Sequence, residues 1–177
     1  VIPGHQHIAH ASAKQVREHR LPNGEPIPLL SEALSAVPPA LFVFIEVKAL
    51  AATFDEGFFR IVEQSPAPER CAIHSFDHRI IRRLGSKRPD LRRGVLSSSY
   101  LVRPLAALED ADASVLWQER SVIDQPLVES VHAAGFQLYI WVVNDRRDMD
   151  RLLGWGVDAL CTDLPELGRE AVQGIAK

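Results

Sequence analysis

From Pro28 onward, short β-branched and aromatic runs alternate with helical periods six times over, and few architectures accommodate that rhythm. The strand-like runs are FVFIEVK from Phe42, CAIHSF (71–76), RGVLSS (93–98), ASVLWQ (113–118), FQLYIWVV (136–143) and ALCTD (159–163). FQLYIWVV is expected to be the longest strand. In PLLSEALSAV (28–37), Leu29, Leu30, Ala33, Leu34 and Val37 recur at helical spacing until Pro38-Pro39 ends the run. Phe54, Phe58, Ile61 and Val62 predict a second helix, and Ile80, Ile81 and Leu84 behind an Asp77 cap predict a third. Leu127, Val128 and Val131 lie between Asp124 and Gly135. Asn144 or Asp145 opens another helix that runs to Gly154 or Gly156, and Pro165 opens the last. Residues 105–112 carry only a weak pattern. Six βα units joined by short loops imply a parallel sheet with helices outside it.

The first run, FVFIEVKA, carries the densest chemical signal. Side chains alternate faces along a strand, so Phe42, Phe44, Glu46 and Lys48 share one side, and Val43, Ile45 and Val47 share the other. Both sides are apolar for most of the length, which predicts a strand buried on both faces. Glu46 and Lys48 stand at its C-terminal end, where parallel α/β folds place their chemistry. The bland alternative is a buried ion pair that holds the core, but such pairs stabilise poorly compared with apolar replacements.

A chain of 177 residues can bury one substantial core. Its net charge of −3 gives no electrostatic case for nucleic acid. The arginines between Arg79 and Arg93 read as the solvated face and last turn of a helix. No apolar run is long enough to cross a bilayer and the N-terminus has no signal-peptide pattern, so the expected compartment is the cytoplasm. Cys71 and Cys161, both in apolar runs, are expected to be buried free thiols. Nucleotide-binding glycine loops and the G-x-S-x-G segment of serine hydrolases do not occur. Residues 1–27 form a polar segment with four histidines and a turn at Pro22-Asn23-Gly24. His5, His7 and His10 could chelate a metal, but a mobile segment is the expectation. The chain begins at Val1 and not at an initiator methionine, so an upstream segment is expected.

Four motifs in order resemble the glycerophosphodiester phosphodiesterase family. IPLLSEAL (27–34) matches its helix ahead of the third strand, and IEVK (45–48) matches its Ile-Glu-x-Lys strand. HSFDHRIIRRL (74–84) is similar to its Ser-Phe-Asp junction. WVVNDRRDMDRLLGWGVDALCTDLPE (141–166) is similar to its C-terminal signature, with Val142 in place of the usual threonine. The resemblance runs from about residue 17 to the end. It implies an α/β fold of the (β/α)8 TIM-barrel type, incomplete here, with about six βα units and the first two strands missing. Residues 28–177 would be the C-terminal portion of the phosphodiesterase domain, and residues 1–27 would resemble an insertion before the third barrel strand.

The implied reaction is hydrolysis of a small-molecule glycerophosphodiester to glycerol 3-phosphate and an alcohol, in glycerol and lipid metabolism, with a divalent cation, Mg²⁺ or Ca²⁺. By the same resemblance Glu46 would be a catalytic residue and a metal ligand, and Lys48 would offset phosphoryl charge. Trp141 would wall the substrate pocket, with Phe76, His74 and Trp117 beside it. His74 and Trp117 read equally as core side chains, and Asp163 reads as a helix cap. The family's His-Arg-Gly strand, its Glu-x-Asp strand and the His-Asp pair that follows are absent, and His19-Arg20 does not replace them. The chain alone is therefore expected to be inactive, with open barrel edges that favour self-association. Two alternatives are a non-catalytic barrel remnant that binds a phosphorylated ligand or a partner, and an open doubly wound α/β domain.

Overall fold

The structure, a computed structural model, describes residue 8 and residues 11–175. His5, His7 and His10 lie outside the described residues. The chain forms two compact units, residues 1–41 with 56–68, and residues 42–55 with 69–177. In the first, Ser12 caps helix α1 (Ala13–Glu18) by accepting the Gln15 N–H, and the expected turn follows with Gly24 at φ +85°. Helix α2 (Leu30–Ala36) comes next, and Arg17 grips Glu32 with both contacts at 2.9 Å. Residues 56–63 of helix α3 (Asp55–Glu63) also belong to this unit.

The second unit carries all six strands: β1 (Val43–Glu46), β2 (Cys71–Ser75), β3 (Arg92–Ser97), β4 (Val115–Glu119), β5 (Gln137–Trp141) and β6 (Ala159–Leu160). The helices between and after them are α4 (His78–Lys87), α5 (Pro104–Ala111), α6 (Gln125–Ala133), α7 (Arg146–Gly154) and α8 (Pro165–Ile175). All strand pairs are parallel and the order is β1-β2-β3-β4-β5-β6. A doubly wound sheet reverses its strand order at a switch point, and this one does not. The doubly wound alternative falls on that ground.

The sheet is strongly curled. In a flat sheet, three strand spacings would part β1 from β4 by about 14 Å. Instead the Phe44 and Trp117 rings meet edge to face at 5.2 Å, and Phe44 reaches Tyr139 on β5 at 5.8 Å. Trp117, Tyr139, Leu96 and Val115 form the core of this concave face, with Trp141 and Ala159 packed against it. Gly94 makes that possible, because a Cβ there would stand 2.8 Å from Trp117 Cδ1. On the convex face Ile73, Val95, Leu116, Leu138 and Ile140 are buried, with α4 against β2 and β3, α5 against β3 and α6 against β5. The six strands thus form a curled half-barrel with helices outside, as the resemblance implies. Among the described residues β1 pairs with β2 alone and β6 with β5 alone.

Several expectations need correction. β1 is not buried on both faces, since Phe42 is 51% and Phe44 36% exposed on an edge strand. β5 ends at Trp141 and is shorter than β3, although Val143 N–H still donates to Cys161 O. Residues 104–111 are a full helix, α5, which Pro104 opens and Asp112 closes at φ +50°. Its apolar content is too evenly spread to show a period. Cys161 is exposed, not buried. Two of the arginines are structural rather than solvated. Arg93 is buried, and its guanidinium spans the Asp112 carboxylate and the Pro89 and Leu91 carbonyls. Arg83 holds the fully buried Asp55 at 3.0 Å, with Lys87 at 3.1 Å. Burial alone would raise the Asp55 pKa; the Arg83 and Lys87 bonds outweigh it and hold the carboxyl below its usual range. Removing one member of such a pair costs about 3–5 kcal/mol. No described helix is long and apolar enough to cross a membrane.

Candidate active site

The C-terminal ends of the strands open into a cavity of about 1170 Å³ in the second unit. It is lined by Glu46, Lys48, His74, Phe76, Trp117 and Trp141, all six of the site residues expected from sequence. Strand alternation explains the grouping. Glu46 pairs with His74, which pairs with Gly94, and Trp117 pairs with Tyr139, so one concave face collects them.

Lys48 Nζ donates to Glu46 Oε1 at 2.6 Å. Their side chains are 80% and 33% exposed, which excludes a buried pair that holds the core. An ion pair in that setting contributes about 0–1 kcal/mol. Its place at the strand ends is therefore better explained by chemistry than by stability. His74 is the buried member of the group. Its ring lies 4.5 Å from the Trp117 ring, and its Nδ1 has no hydrogen-bond partner. Burial is the chief cause that drives its pKa down to about 4; Glu46 pulls it up and Lys48 pushes it down further. Near neutral pH this imidazole is uncharged.

The walls are aromatic. Trp141 Nε1–H donates to Trp117 O at 3.1 Å, and Phe76 meets the Trp141 ring edge to face at 5.5 Å. The Ser-Phe-Asp junction sets Phe76 in place. Ser75 Oγ donates to Val47 O and accepts the Asp77 N–H, and Asp77 caps α4 by accepting the Arg79 N–H. The Arg79 guanidinium on Asp77 holds that carboxyl down near 2. A second clamp ties the loops after β5 and β6. Asn144 Oδ1 accepts from Thr162 Oγ1 and Asp163 N–H, and Asn144 Nδ2 donates to the Asp163 carboxylate. Asp163 is thus engaged in joining the two loops. Cys161 also reaches the cavity, and its thiol, partly covered although the residue is exposed, has its pKa raised first by that partial desolvation and then by the Asp163 charge.

Among the lining residues that sequence reasoning passed over are Tyr139 and Arg169. Tyr139 stands two residues before Trp141 on the same strand face, so alternation alone would have found it. Arg169 reaches the cavity from α8, and a lone arginine on a C-terminal helix gave no signal. His19 ends α1 in the first unit, as a helix C-cap.

A hard divalent cation takes about six to eight oxygen ligands. Among the described residues lining the cavity Glu46 is the one carboxylate, and Lys48 already occupies one of its oxygens. No group of three histidine, cysteine or acidic residues that could hold an ion occurs among the described residues. This donor set does not fit Mg²⁺ or Ca²⁺ by itself.

The model of the glycerophosphoryl diester phosphodiesterase family matches residues 5–167. A glycerophosphodiester phosphodiesterase of Caldanaerobacter subterraneus is 32% identical over 147 residues, covering 81% of this chain and 60% of the relative. A relative in Mycobacterium tuberculosis is also 32% identical, over 174 residues, covering 90% of this chain and 65% of its own length. The chain thus spans less than two thirds of either relative. Among solved structures, a glycerophosphodiester phosphodiesterase of Parabacteroides distasonis superposes with a TM-score of 0.84 at 20% identity, over 97% of this chain and 74% of that one. An Oleispira antarctica phosphodiesterase, solved with its product sn-glycerol-3-phosphate, gives 0.74 at 22% identity, over 84% and 62% of the two chains. At such identities the likeness concerns the fold.

Proposed function

The chain belongs to the glycerophosphoryl diester phosphodiesterase family, and on that premise we propose that its cavity is the phosphoryl- and alcohol-binding part of a site that hydrolyses glycerophosphodiesters. In that reaction water attacks phosphorus, the bond to the leaving alcohol breaks, and glycerol 3-phosphate and the alcohol are released. The observation that carries the reading is the Glu46–Lys48 pair, exposed at the strand ends and facing an aromatic cavity. The ammonium of Lys48, paired with Glu46 at 2.6 Å and largely exposed, would offset charge that develops on a phosphoryl oxygen. Trp141 and Phe76 offer apolar faces to the glycerol or the alcohol, with Trp117 behind them.

Residues 1–177 bind in this scheme but do not turn over. General acid–base groups contribute typically 10²–10⁴-fold, and the cavity's described lining holds one carboxylate and one histidine, the latter buried and neutral. Cation dependence, implied by the resemblance, would need acidic ligands besides Glu46. A barrel remnant that binds a phosphorylated ligand without turnover is the second reading, favoured by the single carboxylate. The deciding experiment follows release of glycerol 3-phosphate from glycerophosphocholine by the full-length protein, with Mg²⁺ or Ca²⁺. Turnover that Lys48→Met cuts at least tenfold supports hydrolysis at this site. Tight binding of glycerol 3-phosphate without turnover supports the remnant, and turnover indifferent to Lys48 defeats the site assignment.

A further inference from the structure

Neither the exposed pair nor the aromatic walls explain why an imidazole, His74, lines this cavity. His74 sits near the C-terminal end of β2, buried, with Glu46 as its register partner on β1 and Gly94 on β3. Because Gly94 has no side chain, Trp117 reaches across β3 from β4 and lies against the imidazole. The ring is thereby fixed between two strands. Ordinary core packing would place an apolar residue here, since a buried polar atom without a partner is costly.

The two ring nitrogens differ. Nδ1 is sealed from solvent and has no partner. A neutral imidazole carries its proton on one nitrogen and a lone pair on the other. An N–H at Nδ1 would be a buried donor with nothing to bind, which native structures rarely tolerate. The proton therefore belongs on Nε2, the nitrogen left to serve the cavity that His74 lines.

We propose that His74 is a specificity-determining residue that presents its Nε2–H to a phosphoryl oxygen of the bound ligand, beside the Lys48 ammonium. The inference rests on the proposed phosphodiester-binding reading and adds to it a second donor of a different kind. Lys48 is an exposed cation at the rim; His74 is a buried donor at the depth of Glu46. Held in this tautomer, Nε2 has no lone pair with which to accept a proton from water. His74 orients the phosphoryl group and does not act as a base.

The test uses nitrogen-15 NMR of the imidazole in the 177-residue chain, followed by titration with sn-glycerol 3-phosphate, inorganic phosphate and glycerol. Expected are the Nε2–H tautomer in the free chain, a shift of the Nε2 signal with both phosphate-containing probes, and none with glycerol. His74→Phe should weaken both by about tenfold or more. His74→Gln, whose amide N–H reaches into the same space, should recover much of the affinity. It also serves as the comparison should the phenylalanine variant melt early. An Nδ1–H tautomer, or wild-type affinity in His74→Phe, overturns the role of His74 while the phosphodiester reading stands. Weakening for glycerol 3-phosphate but not for phosphate overturns the phosphoryl assignment and points to a glycerol hydroxyl. If the wild-type chain binds neither phosphate probe although the tautomer is as expected, the underlying reading fails, and this inference with it.

Discussion

At the scale of single residues, Glu46 and His74 lie side by side in the register and answer differently to change. Glu46→Gln removes a charge from a partly exposed ion pair, so urea melts should move by about 1 kcal/mol or less. On the proposed reading, turnover of glycerophosphocholine should nonetheless fall by about tenfold or more, since Glu46 is the carboxylate that holds the Lys48 ammonium at the strand ends. Wild-type turnover in the variant would count against Glu46. His74 links pH to stability instead. Its pKa falls from 6.5 to about 4 on folding. Above pH 6.5 both states are neutral there and the full stability is present. As pH drops toward 4 the unfolded chain takes up a proton that the native chain refuses, and stability declines by up to about 3 kcal/mol before levelling off. His74→Gln should flatten that part of the profile in denaturant melts at a series of pH values. An unchanged slope would mean that the imidazole is not held neutral.

At the scale of elements, β3 works by what it lacks. An alanine Cβ at position 94 would meet Trp117 Cδ1 at 2.8 Å and the Val115 carbonyl oxygen at 2.9 Å, and the second of these is backbone. Gly94→Ala should therefore cost about 1–3 kcal/mol and shift the tryptophan emission as the indole is pushed from its place against His74. A variant with unaltered emission and stability would show that Trp117 does not depend on this gap. The motifs read from sequence are likewise devices of element joining. Ser75 and Asp77 tie β2 to the end of β1 and start α4, and Asn144 links the loops after β5 and β6. Their spacing was legible because each acts within a few residues of a strand end. The partner of each was not, since Val47 lies 28 residues from Ser75 and Asp163 lies 19 from Asn144.

At the scale of the whole molecule, β1 and β6 are the unpaired edges of the sheet among the described residues, and Phe42 and Phe44 stand half-open beside one of them. Edges with free backbone groups next to exposed apolar rings recruit further chains. The 177-residue chain is expected to elute from size exclusion as concentration-dependent oligomers. Phe42→Lys should move it toward monomer by placing a charge on the edge. A wild-type chain that stays monomeric over a wide concentration range would remove self-association from the account.

The sequence by itself determined the alternation of six strands with helices, the sharing of one strand face by Glu46 and Lys48, and the cap at Asp77. These follow from local periods and turn chemistry, which act within a few residues. Trp141 came from the family resemblance, and the sequence left His74 and Trp117 open between pocket and core. It missed α5, whose apolar residues show no period, and it placed β1 deep in a core where the fold leaves it on an edge. Tertiary structure alone decided that Glu46 and Lys48 face water, that Arg83 and Arg93 are buried against Asp55 and Asp112, and that Gly94 admits Trp117 to His74. The approach of Trp117 to His74 goes with the curl of the sheet. That curl comes from rings meeting across several strands, Phe44 on Trp117 and Tyr139, and no local pattern encodes a contact made at such a distance along the chain.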